Sequence, residues 1–210
     1  MAVKISAPLA PTSSGTAAPA LPYQTLTEAG DRLAVVIFSD DLRGESGRML
    51  QRQILARVPD ARVFSVDPRS AEGMKSAIAE AVGKAERIVA ALYIVPTAGK
   101  AMRSAEGLKN TVSMDDATGS LLRAILDHAA DRTVVLAMGS PYVISDFPAI
   151  QSYLCAFSNA TVSETAAVKA LFGEIPIRGR LPVSIPGIAK RGDGLERPAR
   201  AVSGGSGHVQ

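Results

Sequence analysis

Three apolar runs, LAVVIF at 33–38, IVAALYIV at 88–95 and TVVLAM at 133–138, carry no polar alternation. A strand with one wet face alternates every second residue, so unbroken runs of this length mark strands covered on both faces. The stretches between them have helical spacing. Leu50, Ile54 and Val58 recur every four residues before Pro59. Met74, Ala77, Ile78, Ala81 and Val82 form one stripe, and Leu121, Leu122, Ile125, Leu126 and Ala129 another. Buried strands alternating with amphipathic helices describe a parallel sheet between two helical layers. The expected fold is α/β: a three-layer αβα sandwich around a mainly parallel sheet of about six strands. We place the strands at 33–38, 61–66, 88–95, 133–138, 152–157 and 181–185. The most apolar, 88–95, belongs at the centre, and the last at an edge because Pro182 withholds an N–H.

Helix ends have their own signals. Ser70 is placed to cap the second helix, Ser113 and Asp116 suit a capping box, and Thr161 with Glu164 gives T-x-x-E before a helix ending near Phe172. Gly173 stands where a left-handed residue would end that helix. Residues 1–30 hold four prolines among Ser, Thr, Ala and Gly without sustained periodicity, which predicts a flexible arm. The domain then runs 31–187, with 188–210 a tail whose Gly/Ser-rich end is flexible.

Charge and special residues exclude several classes. The net charge is +3 with bases scattered, so we expect neither nucleic acid nor a membrane surface as partner. The run 88–95 is far shorter than the roughly 20 residues of a membrane span. No signal-peptide core is seen, because Pro8 and Pro11 interrupt the segment after Lys4; a cytoplasmic location is the default. The single cysteine, Cys155, lies in a buried strand and reads as a small core residue. It builds no thiolate metal site alone, and no metal or cofactor is expected. The two histidines suit no Ser-His-acid set: His128 sits late in a helix, off the apolar stripe, where it complements the dipole, and His208 is in the tail. G-x-S-x-G, Walker-type and G-x-G-x-x-G loops are missing where they would be needed.

Ligands of open α/β sheets bind beyond the carboxyl ends of the strands. The loop after Phe38 offers Asp40, Asp41 and Arg43, suited to a cation or sugar hydroxyls, although such carboxylates more often cap turns. The long loop 96–113 carries Lys100, Arg103 and Glu106, its only acid. These six residues are the rim candidates; no catalytic residue is assigned.

The stretch 133–186 is more specific. Its strand followed by Gly139, Pro141 and Tyr142, its helix end Ala170, Leu171, Phe172 and Gly173, and its Gly179, Leu181, Pro182 and Pro186 hairpin resemble the C-terminal domain of family 3 glycoside hydrolases, bacterial β-N-acetylhexosaminidase type. Ser140 stands where that family often has Asn. The resemblance implies a partner, a TIM-type barrel that carries the nucleophilic Asp, for which 210 residues leave no room. In β-glucosidase-type relatives this domain supplies the acid/base Glu from the loop after the third strand. Hexosaminidase-type relatives take it from the barrel, which suits an acid-poor loop. The expectation is therefore a detached glycosidase C-terminal domain in carbohydrate metabolism, structural or cleft-shaping and inactive alone. The competing expectation is a stand-alone carbohydrate-binding or structural module, with a glycan as its partner.

Overall fold

A computed structural model describes residues 3–5, 32–40, 46–94, 102–104, 107–109 and 113–200. In chain order the elements are β1 (Val3–Ile5), β2 (Leu33–Ser39), α1 (Arg48–Leu55), β3 (Arg62–Val66), α2 (Ala71–Lys84) and β4 (Arg87–Tyr93). A hairpin of β5 (Met102–Ser104) and β6 (Gly107–Lys109) follows, then α3 (Asp116–Ala129), β7 (Thr133–Ala137), β8 (Ser152–Cys155) and α4 (Thr161–Leu171). The main sheet has the order β1-β8-β7-β4-β2-β3; its last five strands are parallel and β1 runs antiparallel to β8.

The unbroken apolar runs became the inner strands. Every residue of β2 and of β7 is buried, and β4 is buried from Ile88 onward, at the centre of the sheet as expected. Alternate side chains feed two cores. Ala34, Val36, Phe38, Ala90 and Leu92 pack with α2 and α3; Leu33, Val35, Ile37, Val89 and Ala91 pack with α1 and α4. Helices therefore cover both faces, as the doubly apolar strands require.

Several expectations are corrected. Residues 181–185 form no strand of the sheet. Leu181 and Ile185 are buried, but Pro182 and Pro186 lack the N–H groups that a ladder needs. The backbone pairs locally instead: Leu181 N–H donates to Asp193 O at 2.8 Å, and Ile185 N–H to Ala189 O at 2.7 Å. The edge position belongs to β1, inside the segment expected to be an arm, with Val3 opposite Cys155 and Ile5 opposite Tyr153. The rest of that arm and residues 201–210 lie outside the described residues. The preceding part of the tail is tied down, since Arg200 N–H donates to Gly173 O at 2.7 Å.

Two capping assignments also shift. Asp115, not Ser113, caps α3 by accepting from Ala117 N–H at 2.9 Å. Ser70 makes no cap bond to α2; its hydroxyl donates to Asp67 Oδ1 at 2.7 Å, and that carboxylate also accepts from Ser70 N–H. The Ser70 hydroxyl, and then the backbone donors, hold the Asp67 carboxyl below its usual range. Gly173 ends α4 in the left-handed region, φ 69°, as expected.

Candidate functional site

Chain order and strand order diverge between β2 and β4. After β2 the chain turns to α1 on one face; after β4 it continues to α3 on the other. This is the topological switch point, where departing loops leave a crevice at the carboxyl edge. Ser39 and Tyr93 lie opposite each other at that edge. Gly139 adds a close approach: with φ 119°, an added Cβ would stand 3.0 Å from Ile94 O. The next residue, Ser140, accepts from Tyr142 N–H at 3.4 Å and starts the short 3₁₀ stretch Pro141–Asp146.

The best-defined polar feature lies beneath this crevice. α1 begins after Gly47, at φ 83°, without a capping side chain of its own and without an acid in its first turn. Its open N–H groups need an acceptor from elsewhere. Glu164 of α4, only 3% exposed, supplies it: Oε1 accepts from Gly47 N–H at 3.0 Å and Oε2 from Leu50 N–H at 2.8 Å. The T-x-x-E motif thus works differently from expectation. Thr161 is the first residue of α4, the N-cap Ala160 has no side-chain bond, and Glu164 reaches to another helix. Gly47 is required here, because a Cβ would fall 2.6 Å from Ile37 Cγ2 at a backbone angle that side chains disfavour.

Tyr93 stands against the same cluster. Its ring is 2% exposed and its buried hydroxyl has no hydrogen-bond partner of ordinary geometry. Burial first, and then the neighbouring Glu164 carboxylate, raise the phenol well above its usual pKa, so it stays protonated. Outside Glu164 a cleft of about 310 Å³ opens between Ser46, Arg48, Met49, Asn159 and Thr161.

Of the six rim candidates, Asp40 is exposed at the end of β2 and takes part in an interaction of its own. Arg103 lies on β5, paired with Leu108 of β6, so the loop expected at 96–113 contains a small hairpin. Asp41, Arg43, Lys100 and Glu106 lie outside the described residues. Cys155 is buried in β8 and its thiol is pushed up to about 12 by burial, the state of a core residue rather than a nucleophile. His128 is exposed on the last turn of α3. The described residues hold no group of three potential metal ligands, and no described helix is long and apolar enough to cross a membrane.

Sequence reasoning missed Glu164 as an interhelical cap. The signal was present on the other helix: α1 is entered through Gly47, Arg48, Met49 and Leu50, none of which has a side-chain acceptor to cap it.

A doubly covered, mainly parallel sheet with one antiparallel edge strand and a topological switch point between β2 and β4 defines a three-layer α/β domain. The glycosyl hydrolase family 3 C-terminal domain matches residues 6–202, and the chain belongs to that family. No curated protein matches the chain in sequence. Among solved structures, a β-glucosidase from Listeria innocua superposes with a TM-score of 0.58 at 13% identity, covering 89% of this chain and 26% of that one. A family 3 β-N-acetylglucosaminidase from a Paenibacillus species gives 0.52 at 15%, covering 83% and 28%. A fungal multi-domain β-N-acetylglucosaminidase of the same family gives 0.54 at 19%, covering 82% and 17%. The chain thus spans well under a third of the length of these relatives. At such identities the likeness is one of fold.

Proposed function

We propose that this domain completes a family 3 glycoside hydrolase of the β-N-acetylhexosaminidase type, packing on a TIM-type barrel and shaping the rim of its sugar cleft without supplying a catalytic residue. The observation that carries this reading is the state of Glu164. Retaining hydrolysis needs two carboxyl groups about 5 Å apart across the glycosidic bond, one of them free to give and take a proton. Among the described residues Glu164 is the buried carboxylate at this edge, and both its oxygens are engaged by backbone N–H groups at the start of α1. Its chemistry is that of a cap. The loop after β4 holds Glu106 as its one acid between Pro96 and Ser113, which favours the type whose acid/base comes from the barrel. Asp40, Asp41, Arg43, Lys100, Arg103 and Glu106, on the loops that leave the switch point, would then meet substrate only at the rim.

The test is hydrolysis of an aryl β-N-acetylglucosaminide by the purified chain, alone and mixed with a family 3 barrel. No turnover alone, and turnover once the barrel is added, is the expected result. General acid assistance by itself gives roughly 10²- to 10⁴-fold, too little to make the reaction visible. Turnover by the chain alone that disappears in Asp40→Asn or Glu106→Gln would overturn the reading. The polar cleft beside Asn159 and Thr161 favours a second reading, a carbohydrate-binding module. Saturable binding of N-acetylglucosamine oligomers by the chain alone, with no effect of a barrel, would select it.

A further inference from the structure

On the face opposite Glu164, α2 and α3 leave a groove of about 310 Å³ along their outer sides. Its floor is Ile78, Val82, Leu121 and Ile125, each at most 5% exposed. The wall on the α2 side is low, formed by exposed Ala79 and by Gly83, whose added Cβ would meet nothing within 4 Å. Lys75 and Gly83 mark the two ends on α2, eight residues and therefore about 12 Å apart.

The ionisable side chains of the groove are all bases. Lys75 stands at one end, His128 and Arg132 at the other. Asp127 and Asp131, the acids next to them in sequence, are exposed and lie outside the lining. The side chains of Lys75 and His128 make no hydrogen bond or ion pair among the described residues. Arg132 donates to Ala85 O at 2.9 Å and to Val82 O at 3.3 Å, which holds its planar head in place and offsets the carbonyl end of α2. A guanidinium carries five N–H groups, so donors remain for a ligand. Fixed in advance, it matches a carboxylate and loses little freedom on binding one.

Shape and charge together select the occupant. Small-ligand sites are concave and mostly apolar, with a few convergent polar groups, in volumes from about 300 Å³ upward. A floor this deeply buried gives no room to the ridge of another helix. A second copy docked across a two-fold axis would set Lys75, His128 and Arg132 against the same three bases. An extended alkyl chain of about eight to ten carbons reaches about 12 Å, the length of the floor.

We propose that the α2–α3 groove binds a medium-chain aliphatic carboxylate, with its chain over Ile78, Val82, Leu121 and Ile125 and its carboxylate held by Arg132 and His128. Lys75 adds positive potential at the far end and lays its aliphatic stem along the groove. The site is independent of the barrel reading above.

An NMR titration of the full chain with octanoate tests it. The methyl resonances of Ile78, Val82, Leu121 and Ile125 are expected to shift and to saturate with a Kd of about 1 mM or tighter. Octan-1-ol, which has the chain without the charge, and acetate, which has the charge without the chain, should each bind about fivefold more weakly or worse. His128→Glu should weaken octanoate about tenfold or more and leave octan-1-ol unchanged. Gly83→Leu, where a side chain has room, should fill the groove and abolish binding of both. Because His128 is exposed, its variant keeps the test valid if Gly83→Leu disturbs α2. No saturable shift, or shifts centred on other methyls, would overturn the proposal. So would octan-1-ol binding as tightly as octanoate, or undiminished octanoate binding by His128→Glu. Sedimentation with phosphatidylglycerol vesicles, without any response to octanoate, would assign the bases to a lipid surface and also overturn it.

Discussion

On one face of the sheet, α1 and α4 are joined by polar clips at both ends; on the other, α2 and α3 meet over apolar side chains and leave a groove. At the carboxyl edge the clip is Glu164 on the backbone of α1. At the amino edge Arg57 donates to both oxygens of Glu174, at 2.5 and 2.8 Å, while its guanidinium lies 5.7 Å from the Phe172 ring centre. The α2–α3 side carries Arg132 on the carbonyls that end α2. Apolar contacts are non-directional and tolerate an opening, whereas bidentate and capping bonds fix spacing and angle. The clipped face is the one whose α1 follows the β2 loop at the switch point. The directional bonds thus stand on the face that carries the first turn of α1 at the switch point.

Removing the deepest clip should separate the faces most clearly. Glu164→Ala leaves two buried N–H groups of α1 without acceptors and is expected to lower stability by about 1–3 kcal/mol in chemical denaturation. Hydrogen exchange should speed up in α1 and hardly in α2. Equal loosening of both helical layers would mean that the two faces are one cooperative unit.

The outer clip should show itself in acid. The Arg57 hydrogen bonds, followed by burial acting the other way, leave the Glu174 carboxyl below its ordinary value near 4.5. A lowered folded pKa contributes stability that is present above the unfolded value and is lost as pH falls through the folded one. Arg57→Ala should therefore destabilise the chain more at about pH 7 than at about pH 3. Because Glu174 is well exposed, the difference is small, and its absence would show the ion pair to be screened.

The smallest effect is expected on the open face. His128→Ala removes only a dipole-complementing group at the end of α3 and should cost under about 1 kcal/mol. A larger loss would show that His128 makes contacts beyond the end of its own helix.

Much of this architecture was legible in the sequence because burial on both faces leaves a simple trace. The runs at 33–38, 88–95 and 133–138 and the helical stripes gave the layers, and Pro59 and Gly173 marked two ends to within a few residues. The failures concern pairing at a distance. Leu181 and Ile185 look like strand residues and are buried like them, yet two prolines turn their backbone onto 189–193. Val3–Ile5 carries too few residues to show periodicity, but finds the free edge of β8. The candidate site was read only in outline, since the carboxyl edge follows from strand order while its polar cluster joins residues more than a hundred positions apart.

What the sequence by itself determined is the layering, because hydrophobic periodicity is local and each strand or helix reports its own buried faces. Which partner satisfies each exposed backbone group was decided only in the tertiary structure. A capping carboxylate or an edge strand is chosen by what happens to stand within about 3 Å after folding, and T-x-x-E reads the same whether Glu164 serves its own helix or α1.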